Sequence, residues 1–293
     1  MTSMSVKQKV VIITDTTACI PDKIIKELGI IVVPIELVID GKVYYDGVDI
    51  TPKEFYKRLK TANSIPTTSG SLPGPYLEAF QKAHEYGDDI VCITEPSHYS
   101  GMYDSAKLAS EKILTIYPGL SIEVIDSSTV AAGLGLVAIA AARVASEGKS
   151  LKEVIAIVED VTPRVRLYAM LDTLYYLIKS GRVPRVAGLA NSVLRLKPVF
   201  TIEKGEARTV ALPRTTDNAM KHMLFWLDKK IVKSKPLHIA LMHADNLQKA
   251  IELGQKIEGK YKPREIFTTE FTPVMGVHTG PGVFGVAFYS EKE

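Results

Sequence analysis

VVIITDTTACIPDKIIKEL, residues 10–28, decides the fold class. The run Val10–Ile13 is apolar without alternation, as expected of a strand buried on both faces. Polar Asp15, Thr16 and Thr17 follow, and PDKIIKEL then reads as a helix. Strand, polar turn and helix make half of a βαβ unit, which implies a parallel neighbour further along the chain.

The same pattern extends outward to about residue 145. IIVVPIELVI (30–39) reads as the next strand region. In DITPKEFYKRLK (49–60), Thr51, Pro52 and Glu54 suit the N-cap, N1 and N3 positions of a helix. GPYLEAFQKAHEYG and YDSAKLASEKILTIYP read as helices on either side of the strand DDIVCIT, and SIEVID as a strand before an Ala-rich helix. This order predicts a parallel sheet with helices on both faces. The second half differs. SLKEVIAIVEDV carries a capping box at Ser150 and Glu153, and KPVFTIEKGEARTVALPR reads as a hairpin around Gly205. Strand–helix units follow to the C-terminus. The expectation is an α/β protein of two domains, 1–158 with a parallel sheet and 159–293 with a mixed sheet.

The 293 residues are 46% hydrophobic and 24% charged, ordinary for a globular chain. A net charge of +3 is too small to argue for nucleic acid. Cys19 and Cys92 both sit in apolar runs, which reads as core packing in a reduced, cytoplasmic protein, and metal-ligand spacing is absent. No targeting segment is read at the N-terminus. The Ala-rich helix is interrupted by Arg143 and is short for a bilayer. Its GxGxxA string is rejected as a dinucleotide site, because the glycines are expected several residues inside the helix.

Several stretches suggest a site for an anion. IPTTSGSLPGPY (65–76) holds Thr67, Thr68, Ser69 and Ser71 between prolines, more hydroxyls than a turn needs, and has no strand or helix period. Asp15–Thr17 and Asp126–Ser128 both follow strands, where parallel sheets bind ligands, and the repeated pattern suggests one shared crevice, although a helix N-cap explains Asp15–Thr17 at least as well. Ser97 and Ser100 lie between a strand and a helix, and a cap accounts for one of them. LIKSGRVPRVAG places Arg182 and Arg185 in a Gly/Pro-containing loop, read first as solvated surface. MGVHTGPGVFG (275–285) reads as a rigid loop carrying His278 and Thr279. These residue types also fit a hydrolase, with Ser100 as nucleophile, His278 as base and Asp15 or Asp126 orienting it, but the GxSxG elbow is missing. A phosphate or sugar-phosphate binder is the third reading.

In order along the chain, TDTTA, TSGSLPG, PSHYSGMY, LIKSGR, LRLKP and HTGPG resemble motifs of the DegV family of bacterial fatty-acid-binding proteins. The similarity spans about Val10 to Tyr289. The resemblance implies two α/β domains holding one long-chain fatty acid, such as palmitate or oleate, between apolar walls, with no cofactor, no metal and no catalysis by the chain itself. It implies a separate fatty acid kinase that phosphorylates the presented carboxylate for phospholipid synthesis, and transient contact with a membrane surface. Carried over by position, Thr68, Ser100, His278 and Arg214 contact the carboxylate. Ser69, Ser97, Gly101 and Thr279 belong to the pocket or its loops, and Arg182 to a kinase contact. The chain departs from the family pattern at Pro96, Met102 and Ser180, and at Gly70 and Ser71.

Overall fold

The computed structural model describes residues 10–62, 64–69, 72–181 and 196–292. Val10–Asp15 forms β1, buried throughout, and is followed by helix α1, Asp22–Leu28. The segment read as one strand region is two. Ile31–Val33 (β2) pairs parallel with β1, whereas Glu36–Ile39 (β3) leaves the sheet and pairs antiparallel with β4, Lys42–Tyr45. Pro34 lies at the break; it cannot donate to a ladder, and it lets the chain change sheets. The β3–β4 hairpin was not foreseen.

Helix α2, Pro52–Leu59, starts at the expected Thr51–Glu54 capping box. The hydroxyl-rich stretch is not structureless: Thr67–Thr68 forms a short strand, β5, antiparallel to β3. Helix α3 (Pro73–His84), β6 (Asp89–Thr94), helix α4 (Met102–Ile116) and β7 (Ser121–Asp126) follow as the pattern predicts. Strands β2-β1-β6-β7 make one parallel sheet, and β4-β3-β5 a separate antiparallel one. In the parallel sheet the chain first runs outward from β1 to β2 and then returns to β6. Their carboxyl ends therefore flank a switch point, where crossovers diverge and leave a crevice.

Helix α5, Ala132–Ser146, is buried almost all round. It packs on β1 and β6 of the parallel sheet and also reaches strands of the second half, so it has no solvent face to make polar. Gly133 and Gly135 lie in its first turn, not several residues inside it as expected. Neither is open to a ligand: a Cβ on Gly135 would stand 2.6 Å from the Ala18 carbonyl oxygen, and one on Gly133 would strike Thr129. These glycines serve close packing. Among the described residues no helix is long and apolar enough to cross a membrane.

Helix α6 (Leu151–Val161) leads to β8 (Arg166–Met170) and helix α7 (Tyr175–Ser180). Leu177–Ser180 are thus helical, not loop as read, and Gly181 ends the helix. The Arg182 and Arg185 readings lie outside the described residues. Strands β9 (Val199–Glu203) and β10 (Glu206–Ala211) form the predicted hairpin. Helix α8 (Thr216–Lys230), β11 (Leu237–His243), helix α9 (Leu247–Tyr261), β12 (Glu265–Glu270), helix α10 (Pro273–Thr279) and β13 (Phe284–Ser290) complete the chain. The mixed sheet runs β10-β9-β8-β13-β11-β12.

Alternation along β8 divides this sheet into two faces. Tyr168 and Met170 join a cluster with Met220 and Met223 of α8, while Leu167 and Ala169 turn toward the first half. The larger core is continuous across the two halves: Val10 and Ile12 share it with Ala240 and Ala287. Arg143 on α5 pairs with both carboxylate oxygens of Glu265 on β12, a further tie between them.

Candidate functional site

A cavity of about 170 Å³ lies between the carboxyl ends of β1 and β6, the small sheet, α10 and the inward face of the mixed sheet. One water needs only roughly 10–15 Å³, so this space has room for a group much larger than a water. Its walls are mainly apolar. Leu167 and Ala169 on β8, Phe200 and Ile202 on β9, and Val274 and Met275 on α10 all face it. Its polar groups come from few segments: Thr17 after β1, Thr68 on β5 and Ser69 just after it, Glu95, Tyr99 and Ser100 after β6, and His278 and Thr279 on α10.

Thr68, Ser69, Ser100, Gly101, His278 and Thr279 are therefore brought together from three distant stretches of sequence. The pairing of Leu37 with Thr68 fixes the β5 contribution. Ser100 precedes the N-cap Gly101 of α4, bonds the start of that helix and remains able to donate. Its Oγ accepts the Met102 N–H at 3.3 Å at the start of α4, and accepting leaves the hydroxyl proton free for a ligand. Two other hydroxyls are engaged within the chain. Ser69 donates to Glu36 Oε2 at 2.8 Å, and Thr279 donates to the Met275 carbonyl at 3.0 Å.

His278 does not sit in a rigid loop. It and Thr279 form the last turn of α10, and the loop proper begins at Gly280. Pro273 at the first helical position and Gly280 as C-cap, with φ +68°, set the two ends. A side chain at Gly280 would also strike the ring of Tyr176.

Other expected residues lie elsewhere. Arg214 is exposed between β10 and α8, and neither it nor Ser97 is among the residues lining the cavity. The Ser97 N–H donates to Asp126 Oδ2 at 2.9 Å, and the Ser128 N–H to Asp126 Oδ1 at 2.7 Å. Asp126 is a loop tie, and the Asp126–Ser128 strand end does not share the crevice. Asp15 caps the turn after β1: it accepts the Thr17 N–H at 2.9 Å and the Tyr76 hydroxyl at 3.2 Å. Burial raises its pKa against these hydrogen bonds. Both aspartates are engaged by backbone and hydroxyl donors near their own strand ends, Asp15 by Thr17 and Tyr76 and Asp126 by Ser97 and Ser128.

Glu95 and Tyr99 line the cavity and were missed. Glu95 is buried at the carboxyl end of β6, and the strand-end rule that singled out Asp15 applies equally there. Tyr99 Oη accepts the Ala207 N–H at 2.6 Å. Burial raises the Tyr99 pKa, and Glu206 and Glu95 add repulsion. Among the described residues no group of three or more His, Cys, Asp or Glu is placed to hold a metal.

A parallel sheet, a small antiparallel sheet and a mixed sheet closing on an apolar cavity with a hydroxyl-bearing side define a mixed α/β architecture. The chain belongs to the DegV family: the model of that family, described as uncharacterised protein, DegV family COG1307, matches residues 9–291. A DegV domain-containing protein of Caldanaerobacter subterraneus subsp. tengcongensis is 32% identical over 97% of this chain and 100% of its own length. Among solved structures, a DegV family protein of Thermus thermophilus, described by its fatty acid binding, superposes with a TM-score of 0.89. It is 26% identical, covering 97% of this chain and 100% of that one. DegV of Bacillus subtilis, described as a fatty acid binding protein, gives a TM-score of 0.87 at 25% identity, with 97% and 100% covered.

Proposed function

We propose that this chain binds one long-chain fatty acid, with its carboxylate at Thr68, Ser100 and His278 and its acyl chain along the apolar walls. The observation that carries this reading is the polarity of the cavity, with hydroxyls and an imidazole grouped among aliphatic and aromatic walls. The descriptions of the Thermus and Bacillus relatives support it. A buried carboxylate costs several kcal/mol unless hydrogen bonds replace its water. Neutral hydroxyls supply them without adding a second charge. The chain supplies affinity, about 0.8 kcal/mol for each buried CH₂ before the cost of ordering it. In this reading the halves 1–158 and 159–293 are two domains that form opposite walls.

The finer reading is that the chain catalyses nothing itself. It presents the carboxylate to a separate fatty acid kinase, for phosphorylation and phospholipid synthesis, and exchanges ligand in brief contact with a membrane surface. Two measurements test this. Organic extracts and native mass spectra of the purified protein should contain a fatty acid, or show uptake of added oleate or palmitate; a bare 32.2 kDa species after both treatments sinks the binding reading. A fatty acid kinase with ATP should form acyl phosphate from the loaded protein and not from the protein without ligand.

A further inference from the structure

Two of the candidate head group contacts lie on different elements, Thr68 on β5 and His278 on α10. Their spacing depends on what holds those elements together. α10 has only seven residues, and a helix that short has little stability of its own. It is fixed from outside. The Thr272 hydroxyl donates to the Thr16 carbonyl at 3.0 Å, and Gly276 lets Phe55 and Tyr56 of α2 approach, since a Cβ there would stand 2.6 Å from Phe55. The third anchor is a carboxylate. Val274 N–H, in the first turn of α10, donates to Asp46 Oδ2 at 3.0 Å.

Asp46 directly follows β4, and its own N–H is held by the Ile35 carbonyl at 3.0 Å. β4 pairs with β3, and β3 with the β5 strand that carries Thr68. One buried side chain thus joins the small sheet to the helix bearing His278. It is 1% exposed. An apolar residue would fill such a position without the desolvation cost of a carboxylate, so retaining the acid calls for a role.

We propose that Asp46 is a positioning residue of the head group site, setting the spacing between Thr68 and His278 by tying the small sheet to α10. Its role in ligand binding rests on the fatty acid reading; its hold on α10 does not. Burial pushes the Asp46 carboxyl up to about 7, the Val274 N–H and the hydroxyls of Thr272 and Thr16 pull it down, and Asp15 repels it. Cys19 and Tyr56 are the other titratable groups that feel its charge.

Two variants of the full chain separate positioning from bulk packing. Asp46→Asn keeps an acceptor for the Val274 N–H, and Asp46→Ala removes it. In ligand-free protein, amide exchange across 273–279 should rise about tenfold in Asp46→Ala, with the α5 segment unchanged, and stay within about twofold of wild type in Asp46→Asn. With oleate and oleyl alcohol as probes, the preference for the acid should fall about five- to tenfold in Asp46→Ala and survive in Asp46→Asn. Unchanged exchange at 273–279 in Asp46→Ala overturns the inference, and so does equal disturbance in both variants. Should Asp46→Ala not fold, Asp46→Val fills the space and takes its place. A wild type that binds neither probe overturns the fatty acid reading, and the exchange data still decide the role of Asp46.

Discussion

Tyr99 Oη accepts the Ala207 N–H at 2.6 Å, joining the loop after β6 to the β10 side of the hairpin across the cavity wall. His98 packs beside the same hairpin turn, where a Cβ on Gly205 would stand 2.8 Å from its ring. Tyr99 and Ala207 both line the cavity, so this bond holds two of its walls at a fixed distance.

Tyr99→Phe should therefore cost about 1 kcal/mol of stability and raise amide exchange in β10 selectively. Fatty acid release, followed by stopped flow, should be faster than in wild type. Equal release rates would show that this contact does not control the wall.

Ser100→Ala removes a donor to the proposed carboxylate and the acceptor of the Met102 N–H. The expected affinity loss is ten- to hundred-fold, about 1.5–3 kcal/mol, with a smaller loss of stability from the helix start. Calorimetry with oleate, beside thermal melts, distinguishes the two. A melt shift with unchanged affinity would leave Ser100 as a cap alone.

His278→Ala should reduce the preference for a fatty acid over the matching fatty alcohol, because the alcohol brings no anion to the imidazole. Phosphorylation by a fatty acid kinase should fall too, even at saturating lipid. If His278 only packs at the end of α10, the variant melts earlier and keeps the preference. Titrating both ligands into wild type and variant decides between these outcomes.

The buried Asp46 predicts a pH dependence of stability in the delipidated protein. Unfolded, its carboxyl ionises near ~3.9, whereas in the fold burial holds it to about 7. Its contribution is thus greatest below about pH 4, declines as pH rises toward 7, and levels off above. Asp15, also raised by burial, acts in the same direction. Glu265 acts oppositely: burial alone would raise it, but Arg143 and His238 hold it at about 2, so its contribution is lost only as pH falls below ~4 toward 2. Between pH 5 and 8, wild-type Tm should fall by several degrees more than that of Asp46→Asn. Parallel Tm profiles for the two proteins would contradict the buried-acid assignment.

Much of this molecule was legible in its sequence. Continuous apolar runs named the strands of the parallel sheet, because burial on both faces leaves no polar alternation. Capping boxes at Thr51–Glu54 and Ser150–Glu153 marked helix starts, because they satisfy N–H groups within three residues of themselves. The order of six short motifs pointed to the family, and Thr68, Ser100 and His278 were named from them. Only the tertiary structure decided the rest. Thr67–Thr68 becomes a strand because β3, freed at Pro34, offers it a ladder from far back in the chain. His278 is helical because Asp46, Thr16 and the α2 aromatics hold a helix too short to stand alone. Arg214 and Ser97 carried the right chemistry but do not line the cavity, and Glu95 and Tyr99 line it without a motif to announce them. Local hydrogen bonds and periodicity act over a few residues and are written in sequence. Which side chains share a cavity depends on long-range pairing and packing, and that is fixed only when the sheets close on one another.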